Sequence, residues 1–199
     1  MKATAPQHVR VITGTAGGLW LKLPKGFTSR ATQDKVRQAL FSILGGLVIG
    51  ARVMDLYAGS GSLGIEALSR GAASTLFIEN DRLASAAILD NLTHTRLEER
   101  GRVLTQDAIL FLQSQEKLAA ELILLDPPYT KVGADLSQSE LADLLADKTL
   151  QGTWIVWEHA AHDIWSGRAE FEVMRHARYG KSQLLFLKRT LHSTHSKKP

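Results

Sequence analysis

The sequence has no cysteine. Disulfides and thiolate metal sites are therefore excluded, and a cytosolic setting fits. No apolar run approaches the roughly twenty residues needed to cross a bilayer. The stretch from Met1 to Arg10 lacks the apolar core of a signal peptide. The expectation is a cytoplasmic protein with no membrane partner. Negative charge is also missing where it would be informative. From Met1 to Arg30 the basic residues are Lys2, Arg10, Lys22, Lys25 and Arg30, and no acidic residue accompanies them. The end of the chain is basic too, with Lys188, Arg189, Lys197 and Lys198, although the formal net charge is only +4. One-signed regions of this kind suit a phosphate-rich partner, the plain alternative being a solubilising tail. There is no internal repeat and no low-complexity segment.

What is present reads as alternating elements. Val9 to Ile12 and Leu19 to Leu23 are two short strands around the turn-rich Thr13–Gly18, a β-hairpin. Thr32 is a candidate N-cap for a helix from Gln33 to about Leu44. Val36, Ala39, Leu40, Ile43 and Leu44 form its apolar stripe, with Lys35 and Arg37 outside it. From Ala51 onward strands alternate with helices. The strands are Arg52–Leu56, Thr75–Ile78, Arg102–Thr105, Leu122–Leu125 and Thr153–Trp157, followed by an antiparallel pair, Phe171–Arg175 and Ser182–Leu187. The helices are Leu63–Arg70, Arg82–Leu97, Ala108–Leu118 and Ser139–Leu145. This pattern predicts an α/β, Rossmann-like, seven-stranded and mostly parallel sheet with helices on both faces, plus an N-terminal β-hairpin and helix. Residues 1–46 read as that extension, 47–190 as the ligand-binding domain and 191–199 as a flexible basic tail.

Two segments carry the chemistry. In the first, Asp55 ends a strand, and Gly59, Gly61 and Gly64 follow as G-x-G-x-x-G before a helix. Such a loop lets a ligand approach the backbone at a helix N-terminus. Glu79, at the end of the next strand, could hold both hydroxyls of a ribose. The fingerprint alone suits NAD, FAD or S-adenosylmethionine. Asp55 separates them: a carboxylate beside the loop repels a pyrophosphate but suits a cofactor bearing an ammonium and a sulfonium. Asp107, after the third strand, could hold the adenine amine or simply cap the helix from Ala108. In the second segment, Asp126-Pro127-Pro128-Tyr129 follows a short apolar strand. Two prolines cannot continue a central strand, so a carboxylate and a stiff backbone stand at a strand's carboxyl end, where open α/β sheets bind ligands.

Together, Asp55–Gly64 and Asp126–Tyr129 resemble the S-adenosylmethionine-dependent amino-methyltransferases. Arg30-x-Thr32-x-Asp34-Lys35-x-Arg37-x-Ala39-Leu40-Phe41, the run from Leu63 to Ala72 and the late Arg178-Tyr179-Gly180 are similar to the RsmD family in particular. The likeness covers roughly Val9 to Lys188. It implies methyl transfer from S-adenosyl-L-methionine to the exocyclic N2 amine of a guanine in 16S ribosomal RNA, free or in a small-subunit assembly intermediate, by a monomer. It implies cofactor contacts at Asp55, Ala58, Gly59, Ser60, Gly61, Glu79, Asn80, Asp107 and Ala108. Asp126, Pro127, Pro128 and Tyr129 would receive the base, the first two as acceptors for its N–H groups and Tyr129 by stacking. Arg10, Lys22, Lys25, Arg30, Lys35, Arg37 and Arg178 would contact RNA. The chain departs from the family in its hairpin turn, which usually carries several basic residues and here has none, and at Ala31, where proline is usual.

Other residues have plainer readings. Glu158-His159 at the end of the fifth strand resembles the family's Val-Glu-His and is read first as a structural hydrogen bond, second as an acid/base pair. His94, His162 and His176 show no metal-ligand spacing, so no metal is expected. Trp154, Trp157 and Trp165 read as packing. The alternatives are an amino-methyltransferase for another RNA or a DNA base, an NAD-binding oxidoreductase, and a non-catalytic nucleic-acid-binding domain.

Overall fold

The computed structural model describes residues 8–24, 31–128 and 133–190. Lys25, Arg30, Tyr129 and the 191–199 tail lie outside the described residues. Strands β1 (His8–Arg10) and β2 (Trp20–Lys22) form an antiparallel hairpin, and helix α1 (Ala31–Leu44) follows. The remaining strands are β3 (Arg52–Leu56), β4 (Ser74–Glu79), β5 (Gly101–Thr105), β6 (Leu122–Leu125), β7 (Trp154–Ala160), β8 (Phe171–Tyr179) and β9 (Ser182–Arg189). Between them lie α2 (Ser62–Ser69), α3 (Arg82–Thr95), α4 (Ala108–Ser114) and α5 (Glu140–Lys148). The seven strands order as β5-β4-β3-β6-β7-β9-β8. The first five are parallel to one another; β9 runs antiparallel to both β7 and β8. The chain winds outward from β3 in both directions, so the topological switch point lies between β3 and β6, and the crevice for ligands opens there.

Side-chain alternation divides the sheet between two cores. Val53, Leu122, Leu124 and Val156 face α1, α2, α3 and the hairpin. Met54, Leu56, Ile123, Leu125, Ile155 and Trp157 face α4 and α5. Every residue of β6 is buried, as a central parallel strand covered on both faces requires.

Several element boundaries differ from expectation, among them β8, which runs on to Tyr179, and three others have a consequence for the core or the site. Helix α1 starts at Ala31, one residue before Thr32, which was expected to precede it. Helix α4 stops at Ser114 because Gln115 turns extended. That lets Leu118 reach the core and donate its N–H to the Lys148 carbonyl at 2.9 Å. Strand β7 runs on to Ala160 because β9 pairs with its whole length, so Glu158 and His159 lie inside a strand.

The hairpin does not project from the domain. Glu66 on α2 is fully buried and accepts from the Ile12 N–H (2.7 Å), the Thr13 N–H (3.2 Å) and Arg70 Nε (2.6 Å). Ser69 Oγ donates to the Thr13 carbonyl at 2.6 Å and accepts from the Ala16 N–H at 2.9 Å. Val9, Val11, Ala16 and Leu21 share one core with Leu40, Ile65 and Phe77. The turn is therefore a docking element fitted to the end of α2. Arg37 corrects an expectation. Expected to contact RNA, it is only 4% exposed, and its guanidinium donates to the Arg10 carbonyl (2.6 Å) and to Asp34 (3.0 Å). Burial lowers its pKa, with Asp34 opposing. It braces β1 against α1 and is not available to a phosphate.

Gly14 sits at φ 86°, and a Cβ there would lie 1.9 Å from the Ser69 carbonyl oxygen. Gly14→Ala is expected to lower unfolding free energy by about 2 kcal/mol or more in urea denaturation. Gly46→Ala, with open space around it, should change it by less than about 0.5 kcal/mol.

Candidate active site

Parallel register brings the two sequence motifs together. Leu56 pairs with Leu125, and Leu125 with Trp157. One residue further on, Tyr57, Asp126 and Glu158 therefore stand side by side at the carboxyl rim. Asp55 is two residues before that rim, on β3, and Glu79 ends β4.

The glycine loop is built around these acids. Asp55 is 1% exposed and accepts from the Gly64 N–H at 2.8 Å, tying the end of β3 to the first turn of α2. Glu79 is buried; one oxygen accepts from the Gly59 N–H (2.7 Å) and the other from the Asp81 N–H (2.8 Å). Gly61 has φ 75°, and a Cβ would come within 3.1 Å of Ile88. Gly64 lies so close to β4 that a Cβ would come within 2.3 Å of Phe77. The spacing Gly59-x-Gly61-x-x-Gly64 is thus a bend followed by close helix–strand contact. Tyr57 supplies a second bend at φ 63°, a conformation that strains a residue with a Cβ. Asn91 on α3 reaches across: its amide accepts from the Lys22 N–H (2.9 Å) and donates to the carbonyls of Lys22 (3.0 Å) and Ser60 (3.3 Å). One buried side chain thus joins the hairpin to the glycine loop.

Ala58 and Ala108 are buried, in different cores, Ser60 is half-buried and Asn80 is exposed. Asp107 caps α4, accepting from the Leu110 N–H at 3.0 Å. Arg10, Lys22, Lys35 and Arg178 are exposed. Sequence reasoning missed Tyr57 and Asn91, and it gave Glu158 a structural part first. The signal for Glu158 was register: it follows the last β6–β7 pair just as Asp126 does. His159 is structural. It is buried between the Ala160 carbonyl (2.9 Å) and His176 Nε2 (3.1 Å), and desolvation lowers its pKa.

The electrostatics are one-sided. Burial pushes the Asp55 carboxyl well above the usual carboxylate range, the Gly64 N–H opposes this, and Asp126 and Glu79 add repulsion. Asp126 is open to solvent on one side, yet the protein around it and the nearby Glu158 raise its carboxyl. Burial raises Glu158 too, with the Ser182 side chain opposing. The Tyr57 hydroxyl is pushed up to about 12 by burial, then by Asp107 and Glu140. No basic side chain among the described residues offsets Asp55, Asp126 or Glu158. Beside Pro127 and Pro128 opens a cavity of about 230 Å³, whose walls include Tyr57, Leu136, Trp157 and Glu158.

Comparison with known proteins fixes the lineage. The family model described as Conserved hypothetical protein 95 matches residues 9–188. The chain belongs to that family. Ribosomal RNA small subunit methyltransferase D of Escherichia coli is 37% identical over 124 residues, which is 62% of each chain. Bacillus subtilis YlbH is 40% identical over 123 residues, 61% of this chain and 67% of that protein. The alignments thus span about two thirds or less of these relatives. The solved structure of Escherichia coli yhhF superposes with TM-score 0.79 at 30% identity, covering 92% of this chain and 98% of that one. The seven-stranded order is the methyltransferase fold that this family shares.

Two outcomes test the site's construction. A carboxyl raised in the folded state keeps a proton that the unfolded chain has released, so its contribution to stability falls as pH rises above the unfolded pKa of about 4. Asp55→Asn retains an acceptor for the Gly64 N–H without that titration. Its apo melting temperature should exceed wild type at about pH 8 and converge with it toward about pH 4. Asn91→Ala should lose about 1–3 kcal/mol of stability and hydrogen-exchange protection at the Lys22 amide.

Proposed function

We propose that this protein transfers a methyl group from S-adenosyl-L-methionine to the exocyclic N2 amine of a guanine in small-subunit ribosomal RNA. The observation that carries this is the uncompensated acid rim at the switch point, joined on one side to a glycine cradle and on the other to a Pro-Pro-walled cavity. A pyrophosphate would be repelled there, which disfavours NAD. A ligand bearing an ammonium and a sulfonium supplies the missing positive charge. The names of the curated relatives support ribosomal RNA as the substrate class.

The residues fit the cofactor. Glu79 offers its remaining lone pairs to ribose hydroxyls, Gly59 to Gly61 let the ligand lie against the backbone, and Asp55 and Asp126 bring negative charge to its cationic part. When bound, S-adenosyl-L-methionine supplies an electrophilic methyl group. The chain does the rest by positioning. The Asp126 carboxylate and the Pro127 carbonyl accept from the two N–H groups of the amine, which turns its lone pair toward the donor. The amine nitrogen would gain the methyl carbon as that carbon's bond to sulfur breaks, its electron pair staying on sulfur to leave S-adenosylhomocysteine, and the nitrogen would shed one proton, which Asp126, with its raised pKa, is suited to take. The base must leave its stack to enter the cavity, at a cost of a few kcal/mol. Exposed Arg10, Lys22, Lys35 and Arg178 hold backbone phosphates.

Purified protein with S-adenosyl-L-methionine should add 2-methylguanosine, read by nucleoside mass spectrometry, to ribosomal RNA from cells lacking it. Asp126→Ala should abolish transfer, at least about a hundredfold, while S-adenosylhomocysteine still raises the variant's melting temperature. Full activity in that variant refutes the amine clamp.

A further inference from the structure

We infer that Glu158 reads the acceptor base, its carboxylate accepting the N1–H of guanine while Asp126 accepts from the adjacent N2 amine. The inference rests on the proposed function and deepens it. Three observations place Glu158 in this role. Register sets it beside Asp126, since Leu125–Trp157 is the last β6–β7 pair and each acid comes next. Glu158 lines the cavity of about 230 Å³ together with, among others, Pro127, Pro128, Tyr57, Trp157, Asp135 and Asp163, a space that offers a flat heteroaromatic ring stiff and aromatic surfaces. No ion pair engages it among the described residues, only a hydrogen bond with the Ser182 side chain. An acid half-buried in a cavity wall without a cation is poised for a donor brought by the ligand.

Guanine brings such donors. Its N1–H and N2 amine are neighbours on one edge and point the same way, so two adjacent carboxylates meet both. Adenine carries a bare acceptor at N1, which would face the Glu158 carboxylate with no proton between them. The preceding Trp157 pairs directly with Leu125 and forms part of the wall. Its indole N–H has no partner among the described residues. Glu158 is on β7, which β6 separates from β3 and its glycine loop, so base choice and cofactor binding can be tested separately.

The test uses 2-aminopurine, which keeps the 2-amino group but has no proton on N1. A synthetic ribosomal RNA carrying the mapped target as guanine or 2-aminopurine is assayed in single turnover with excess enzyme. Wild type should prefer guanine by about a hundredfold, the scale on which a missing N–H partner is rejected. In Glu158→Gln the amide can donate to the bare N1, so the preference should fall to a few-fold or invert. Glu158→Ala should slow guanine and narrow the ratio. Folding of both variants is checked by the melting shift with S-adenosylhomocysteine. A wild type that methylates both bases equally overturns the inference. So does a ratio that stays near wild type while both rates fall, because a merely structural acid would act that way. A folded Glu158→Gln protein dead on both RNAs also counts against it, since loss of one contact does not silence both. Absence of 2-methylguanine from wild type on the guanine RNA instead defeats the proposed function.

Discussion

Everything at the functional end of this molecule depends on negative charge held where the sheet changes direction. Asp55, Asp126 and Glu158 end or nearly end the three central parallel strands, and Glu79 ends the next one out. Burial raises the carboxyls of the first three, and repulsion from neighbouring acids adds to it at Asp55 and Asp126. Stability alone would favour a basic or neutral residue among them. The acids are instead fastened by backbone N–H groups of the loop they shape, Gly64 to Asp55 and Gly59 and Asp81 to Glu79. The arrangement stores an electrostatic demand that a cationic ligand and a donor-bearing base would both satisfy.

The rest of the architecture keeps that rim in place. Helix α2 leaves the glycine loop and carries Glu66 and Ser69, which hold the hairpin turn by its backbone. Helix α3 carries Asn91, which holds the hairpin's second strand and Ser60 of the loop at once. The hairpin is therefore wired to the cofactor cradle through two helices. The turn meets α2 through its backbone and the buried Ala16, while Thr15 and Leu19 stay exposed. The exposed cations Arg10 and Lys22 sit on the strands.

Much of this was legible in the sequence because its signals were local. The apolar run before Asp126, the glycines after Asp55 and the alternation of strand and helix each follow from neighbouring residues, and they located the parallel sheet and both halves of the site. Signals that needed the third dimension were not legible. Arg37 lies outside the apolar stripe of α1, yet the hairpin closes over it and gives it a carbonyl to bind. Glu158 and His159 read as a strand-end pair, but β9 extends β7 beyond Trp157 and sets both inside a paired strand. Asn91 is one polar residue in an amphipathic helix, and only the arrival of β2 and the glycine loop on either side of it gives it a role.

The central claim is that the rim is ionised by its ligand. Titration calorimetry with S-adenosyl-L-methionine in buffers of different ionisation enthalpy tests it most directly. Carboxyls raised in the free protein must release protons when a cationic ligand binds, so net proton release should be measured near neutral pH and should shrink in Asp55→Asn. Binding with no proton release, or binding of NAD in place of S-adenosyl-L-methionine, would contradict the account.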